Sequence, residues 1–128
     1  MAEELGRRTA LLVEDETLVA MIAEDFLSAL GYQPICVLNG GDALAALTAR
    51  PDTRLAVIDV GLPDMRGDEL AAQARVIAPG LSIVLATGYD PVELSRRFSD
   101  DEAVRVLAKP YTERDLRSAV ASLGLTTA

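Results

Sequence analysis

Leu55-Ala56-Val57-Ile58-Asp59-Val60-Gly61-Leu62-Pro63-Asp64-Met65-Arg66-Gly67 runs a short apolar stretch into a carboxylate and then into a loop punctuated by Gly61, Pro63 and Gly67. A carboxylate at the tip of a buried strand is costly unless something uses it. Three other runs end in the same way. Ala10-Leu11-Leu12-Val13 delivers Glu14-Asp15, Ser82-Ile83-Val84-Leu85-Ala86 delivers Thr87, and Val104-Arg105-Val106-Leu107-Ala108 delivers Lys109. If these runs are parallel neighbours, their terminal polar groups converge on one spot.

Between the apolar runs lie amphipathic stretches, the alternation of an α/β protein with a parallel sheet. The pattern predicts strands near 9–14, 33–38, 55–59, 82–87 and 104–108, and helices near 17–30, 41–49, 67–78, 91–99 and 112–123. The expected fold is a flavodoxin-like (βα)5 doubly wound parallel five-stranded sheet with strand order 2-1-3-4-5. Such sheets bind ligands at the carboxyl ends of their strands, where Glu14, Asp15, Asp59, Thr87 and Lys109 fall. In the first helix Val19, Ile22, Ala23, Phe26, Leu27 and Leu30 recur at helical spacing, with Thr17 as expected N-cap and Gly31 as expected C′ residue. The third helix starts after Gly67 and stops before Pro79-Gly80. The fourth has Pro91 in its first turn and only Val92, Leu94 and Phe98 to bury, so it is expected to be the most mobile part of the fold.

The chain has 128 residues, enough for one domain with a sound core, and half of them are apolar. No apolar stretch approaches the ~20 residues needed to span a bilayer. Met1-Ala2-Glu3-Glu4 is acidic and Arg7-Arg8 leads straight into a strand, so no signal peptide is expected, and the expected location is the cytoplasm. The net charge of −8 argues against nucleic acid as a partner. Cys36 is alone and is expected to be a small buried strand residue, so neither a disulfide within the chain nor a cysteine metal site forms. There is no histidine. That excludes a Ser-His-Asp triad and histidine-ligated zinc, and any phosphohistidine must come from another protein.

Glu14, Asp15 and Asp59 brought together repel one another, and at least one carboxyl should be pushed up. A hard divalent cation relieves the repulsion: Mg²⁺ takes oxygen ligands and pairs carboxylates with phosphate oxygens. Three carboxylates, one Mg²⁺ and Lys109 sum to zero. Asp59 is then suited to nucleophilic attack on phosphorus, forming an acyl phosphate. Lys109, the Thr87 hydroxyl and nearby backbone N–H groups are placed to meet the phosphoryl oxygens. Gly61 and Gly88 would let the backbone approach. Each feature has a plainer reading by itself: turn glycines, a surface lysine, an acidic pair at a helix N-terminus. Their common position at strand ends favours the shared site.

With these residues in view, the chain resembles the receiver domain of bacterial two-component response regulators over essentially its full length, 1–128. The acidic pair Glu14-Asp15, the Asp59–Gly67 loop, Thr87 and Lys109-Pro110 stand in family order and spacing. The resemblance implies that Asp59 is the phosphoacceptor, and that Glu14, Asp15, Asp59 and the Gly61 backbone carbonyl hold Mg²⁺ or Mn²⁺. Thr87, the Gly88 N–H and Lys109 bind the phosphoryl group. The donor is a phosphohistidine on a sensor histidine kinase or a histidine phosphotransfer protein. Lys109-Pro110 is implied to be cis. Phosphorylation shifts a pre-existing equilibrium read out by the fourth helix, fifth strand and fifth helix. Such a protein catalyses only its own phosphorylation and dephosphorylation.

Two positions depart from the pattern. Receivers usually carry Tyr or Phe three residues before the lysine, where this chain has Val106. Leu85-Ala86-Thr87-Gly88-Tyr89 looks like the Phe-Ala-Thr-Gly-Tyr signature of the "FAT GUY" subfamily with Leu in place of Phe. That subfamily also lacks the switch aromatic and is implied to work as stand-alone regulators with HWE-type kinases. Tyr89 or Tyr111 would then share the switch role; the alternative is that both are rim aromatics.

After the fifth helix stand Leu123-Gly124-Leu125-Thr126-Thr127-Ala128, and the expectation is a stand-alone receiver without an output domain. The expected output is a contact with a downstream protein, or service as a phosphate sink or shuttle. The alternative is a receiver fold used as a binding module without phosphorylation. Other enzymes on such a sheet fit poorly. Glu14-Asp15-Glu16 would repel the phosphate of FMN. Gly61 stands where a haloacid-dehalogenase-like phosphatase needs its second aspartate. There is no P-loop.

Overall fold

The computed structural model describes residues 8–125. The readings placed on Met1–Glu4 and Arg7, and on Thr126–Ala128, lie outside the described residues. In chain order the elements are β1 (Arg8–Val13), α1 (Thr17–Ala29), β2 (Tyr32–Val37), α2 (Gly40–Ala49), β3 (Leu55–Asp59), α3 (Gly67–Ile77), β4 (Ser82–Thr87), α4 (Pro91–Arg97), β5 (Val104–Ala108) and α5 (Glu113–Ser122). The five strands are parallel in the order 2-1-3-4-5. This is the expected fold.

The sheet is one residue thick and has a core on each face. Leu11, Val13, Ala56, Ile58, Ile83 and Leu85 face α2, α3 and α4, which contribute Leu47, Leu70, Ala74 and Leu94. Leu12, Leu55, Val57 and Val84 face α1 and α5, which contribute Ala23, Leu27, Leu116 and Val120. Burial on both faces explains why β3 reads as an unbroken apolar run: all of Leu55–Asp59 is buried.

The register sets up the site. Val13 pairs with Ile58, Asp59 with Ala86, and Thr87 with Ala108. Bonds from Glu14 N–H to the Val37 carbonyl (3.1 Å) and from Lys109 N–H to the Thr87 carbonyl (2.7 Å) carry the ladder past the strand ends.

Several local expectations are corrected. Thr17 is not the N-cap of α1; Glu16 is, without a side-chain bond, and the Glu16 N–H instead donates to Glu14 Oε2 at 3.1 Å. Ile22 is exposed rather than packed, because the buried stripe is Ala20, Ala23, Leu27 and Leu30. Small residues on that stripe let the helix sit close to the sheet. Cys36 is half-buried, since β2 is an edge strand, and burial still pushes its thiol up. In α4 Leu94 is buried and Phe98 half-buried, but Val92 is exposed and the helix stops at Arg97. Gly31 takes the left-handed C′ conformation expected of it (φ 94°).

Candidate functional site

The carboxyl ends of β1, β3, β4 and β5 carry Glu14-Asp15, Asp59, Thr87 and Lys109. Glu14, Asp15 and Asp59 each offer a carboxylate oxygen, and these atoms lie within 4.8 Å of one another. Glu14, Asp59 and Thr87 are buried, whereas Asp15 is exposed. The cluster is thus walled on the sheet side and open toward solvent at Asp15, Gly61 and Gly88.

Lys109 reaches into this cluster. Its Nζ lies 2.9 Å from Glu14 Oε1 and 3.4 Å from Asp59 Oδ1. Asp59 Oδ1 also accepts the Gly61 N–H at 3.3 Å, and Thr87 Oγ1 accepts the Tyr89 N–H at 3.0 Å. Burial pushes the Glu14 carboxyl above its usual value and the Asp59 charge adds to this, against hydrogen bonds from Lys109 and the Glu16 N–H. The rise expected from crowding is therefore due first to desolvation. Burial alone would lower the Lys109 ammonium, but the Glu14 hydrogen bond and the Asp59 and Glu14 charges outweigh it and raise it. A carboxylate trio with one ammonium retains two negative charges, and an all-oxygen donor set of this kind suits a hard divalent cation.

Strand parity divides the site. Glu14, Asp59 and Lys109 continue the alternation of Leu12, Val57 and Leu107, on the α1/α5 side. Thr87 continues that of Ile83 and Leu85, on the α2–α4 side.

Residues 10–121 match the response regulator receiver domain family. The chain belongs to that family. It is 34% identical over 106 residues to the response regulator receiver protein CpdR of Brucella abortus, covering 83% of this chain and 88% of that one. It is 28% identical over 111 residues to sporulation initiation phosphotransferase F of Bacillus subtilis, covering 86% and 88%. Among solved structures, a response regulator receiver protein from Sinorhizobium medicae superposes with a TM-score of 0.81 at 28% identity, covering 93% of this chain and 95% of that one.

In this receiver the Lys109-Pro110 peptide bond is cis, as the resemblance implied. Val106 is half-buried on β5 against the α2–α4 core, so no aromatic ring stands there. Tyr89 is 80% exposed on the rim. Tyr111 differs: its ring packs against Phe26 of α1 (centroids 6.1 Å apart). Burial, with the Glu14 and Asp59 charges, pushes its hydroxyl up to about 12. The two tyrosines therefore do not share one environment.

A Cβ at Gly88 would meet nothing within 4 Å, and one at Gly61 only Asp59 Oδ2 at 4.0 Å. Neither is a glycine for want of room. Gly67 is: a Cβ there would lie 2.4 Å from the Asp59 carbonyl oxygen and 2.7 Å from Val60 Cα. The N-terminus of α3 is thus pressed against the backbone of Asp59, fixed by the Gly67 N–H to Val60 carbonyl bond at 2.9 Å. Asp64 was also missed. Its two carboxylate oxygens accept the Gly40 and Gly41 N–H groups at 2.9 and 3.0 Å, strapping the Asp59 loop to the start of α2. The signal for that contact was Asn39-Gly40-Gly41-Asp42, where Asn39 caps Asp42.

Proposed function

We propose that this receiver accepts a phosphoryl group on Asp59 from a phosphohistidine of a sensor histidine kinase or histidine phosphotransfer protein. One observation carries the reading: the Asp59 carboxylate sits at the end of a buried strand, beside two further carboxylates and 3.4 Å from the Lys109 ammonium. An Asp59 oxygen attacks phosphorus, the P–N bond breaks, and the departing imidazole takes its proton from solvent. In this reading Lys109, the Thr87 hydroxyl and the Gly88 N–H neutralise and hold the phosphoryl oxygens.

The donor set fits Mg²⁺ or Mn²⁺ held by Glu14, Asp15, Asp59 and the Gly61 carbonyl. When bound, the ion neutralises the charge gathered on the transferring oxygens. Receiver domains are signalling modules. In our reading this one works in the cytoplasm as a single-domain regulator, through contact with a downstream protein or as a phosphate sink or shuttle. The Leu85–Tyr89 motif and Val106 favour the FAT GUY subfamily with HWE-type kinases. Among the described residues no helix is long and apolar enough to cross a membrane.

The test is incubation with Mg²⁺ and a small acyl-phosphate donor, read by intact mass beside Asp59→Asn. The expected result is one Mg²⁺-dependent, base-labile phosphoryl adduct that the variant lacks. No adduct, together with no Mg²⁺-dependent response to beryllofluoride, would favour a binding module that works without phosphorylation.

A further inference from the structure

We propose that Asp68 couples the Asp59 site to helix α4, through Arg66 on one side and Arg97 on the other. This rests on the phosphoacceptor reading above. Among the described residues Asp68 is the only buried carboxylate outside the acidic cluster. Its Oδ1 accepts from Arg66 Nε at 3.0 Å, and its Oδ2 pairs with Arg97 Nη2 at 2.9 Å. One carboxylate thus grips the loop that follows Asp59 and the last residue of α4.

The link back to the site is short and stiff. Gly61, the residue whose carbonyl is assigned to the metal, forms an antiparallel bridge with Arg66 across the loop. Gly67 rests directly on the Asp59 carbonyl with no space for a methyl group. A shift of Asp59 or Gly61 is therefore passed to Arg66, Gly67 and Asp68.

The link forward acts on a weakly anchored element. Only Leu94 of α4 is buried, so apolar packing holds the helix loosely. Polar contacts with α3 do the rest: Asp68 with Arg97, and Arg75 with Asp101 in the segment that follows α4. The opposite route, from Thr87 to β5, meets Val106 instead of a ring. Asp68 is buried while Arg66 and Arg97 are more than half exposed, so these pairs add little stability, and what they supply is a fixed geometry between loop and helix. Here the arrangement fixed is that of α4 relative to the loop.

Amide NMR of the full chain tests this, with Mg²⁺ and beryllofluoride as the probe. Gly61 and Gly88 report the site; Leu94 and Ser95 report α4. In the wild type both sets are expected to shift. In Asp68→Asn and Arg97→Ala the site amides should still shift while the α4 amides lose most of their response. Arg97 is largely exposed, so its variant folds even if Asp68→Asn does not. By reciprocity Arg97→Ala should also change the affinity for the probe, by about fivefold. Arg97→Lys should restore the coupling in part, as a point charge without the planar fork. Full α4 shifts in both variants, with a responding site, would overturn the coupling and leave the phosphoacceptor reading intact. Silent site amides in the wild type would remove that reading and this proposal with it.

Discussion

Lys109 stands nearer to Glu14 than to Asp59: its Nζ is 2.9 Å from Glu14 Oε1 and 3.4 Å from Asp59 Oδ1. The ammonium thus offsets first the more buried carboxylate, which burial pushes above its usual value. Lys109→Met should lower stability at pH 7 by about 2 kcal/mol, since one partner of a mostly buried pair is removed. Folded Glu14 holds its proton more tightly than unfolded Glu14, so this loss should shrink as pH falls through its raised titration range. Urea denaturation at pH 7 and near pH 4 measures both; an equal deficit at the two values would mean that Glu14 charge is not the cause.

Asp59→Asn should abolish the phosphoryl adduct and still fold. Removing one of three crowded carboxylates should raise the metal-free melting temperature by about 4 °C, the equivalent of about 1 kcal/mol for a domain of this size. A melting temperature that falls without Mg²⁺ would count against the crowding.

Gly67→Ala should destabilise by about 1–3 kcal/mol, because its methyl group meets backbone that has nowhere to move. Gly88→Ala, opening onto empty space, should stay within about 0.5 kcal/mol of the wild type. Chemical denaturation of the pair checks the contrast, and equal effects would refute it.

Asp64 is held below the usual carboxylate range by the Gly40 and Gly41 N–H groups. A carboxyl depressed in the folded state stabilises above its unfolded titration point, and that stability is lost as pH falls through the folded one. Asp64→Ala should therefore be less stable than the wild type at neutral pH, with the difference vanishing in strong acid. An NMR titration should show Asp64 protonating at lower pH than an exposed aspartate does.

Helix α4 should exchange its amides earlier than α1 or α5. It buries Leu94 alone, whereas α1 buries Ala20, Ala23 and Leu27, and α5 buries Leu116, Ala119 and Val120. Hydrogen exchange at Leu94, Leu27 and Leu116 gives the ranking directly; slower exchange at Leu94 would contradict it.

What was legible in the sequence was what depends on period and position along the chain. Leu55–Ile58 reads as a strand because both its faces are covered, and a polar residue ending such a run, like Asp59, stands out. The positions of Glu14, Thr87 and Lys109 followed from the same logic applied to neighbouring strands. What was not legible depends on which surfaces meet. The exposure of Ile22 reflects how α1 is turned against the sheet, which helical spacing leaves open by a residue. Gly67 has the look of any loop glycine until α3 is laid against Asp59. Asp64 and Asp68 lie in a charged, turn-rich stretch, and their partners Gly40 and Arg97 are more than twenty residues away.

The parity split at the strand ends gives the molecule a seam. Glu14, Asp59 and Lys109 lean toward one helix layer and Thr87 toward the other, across an edge a single residue thick. A charge set down on that edge is felt on both sides of the sheet at once. The same small event therefore bears on two helix layers that share no core, α1 with α5 and α2 with α3 and α4.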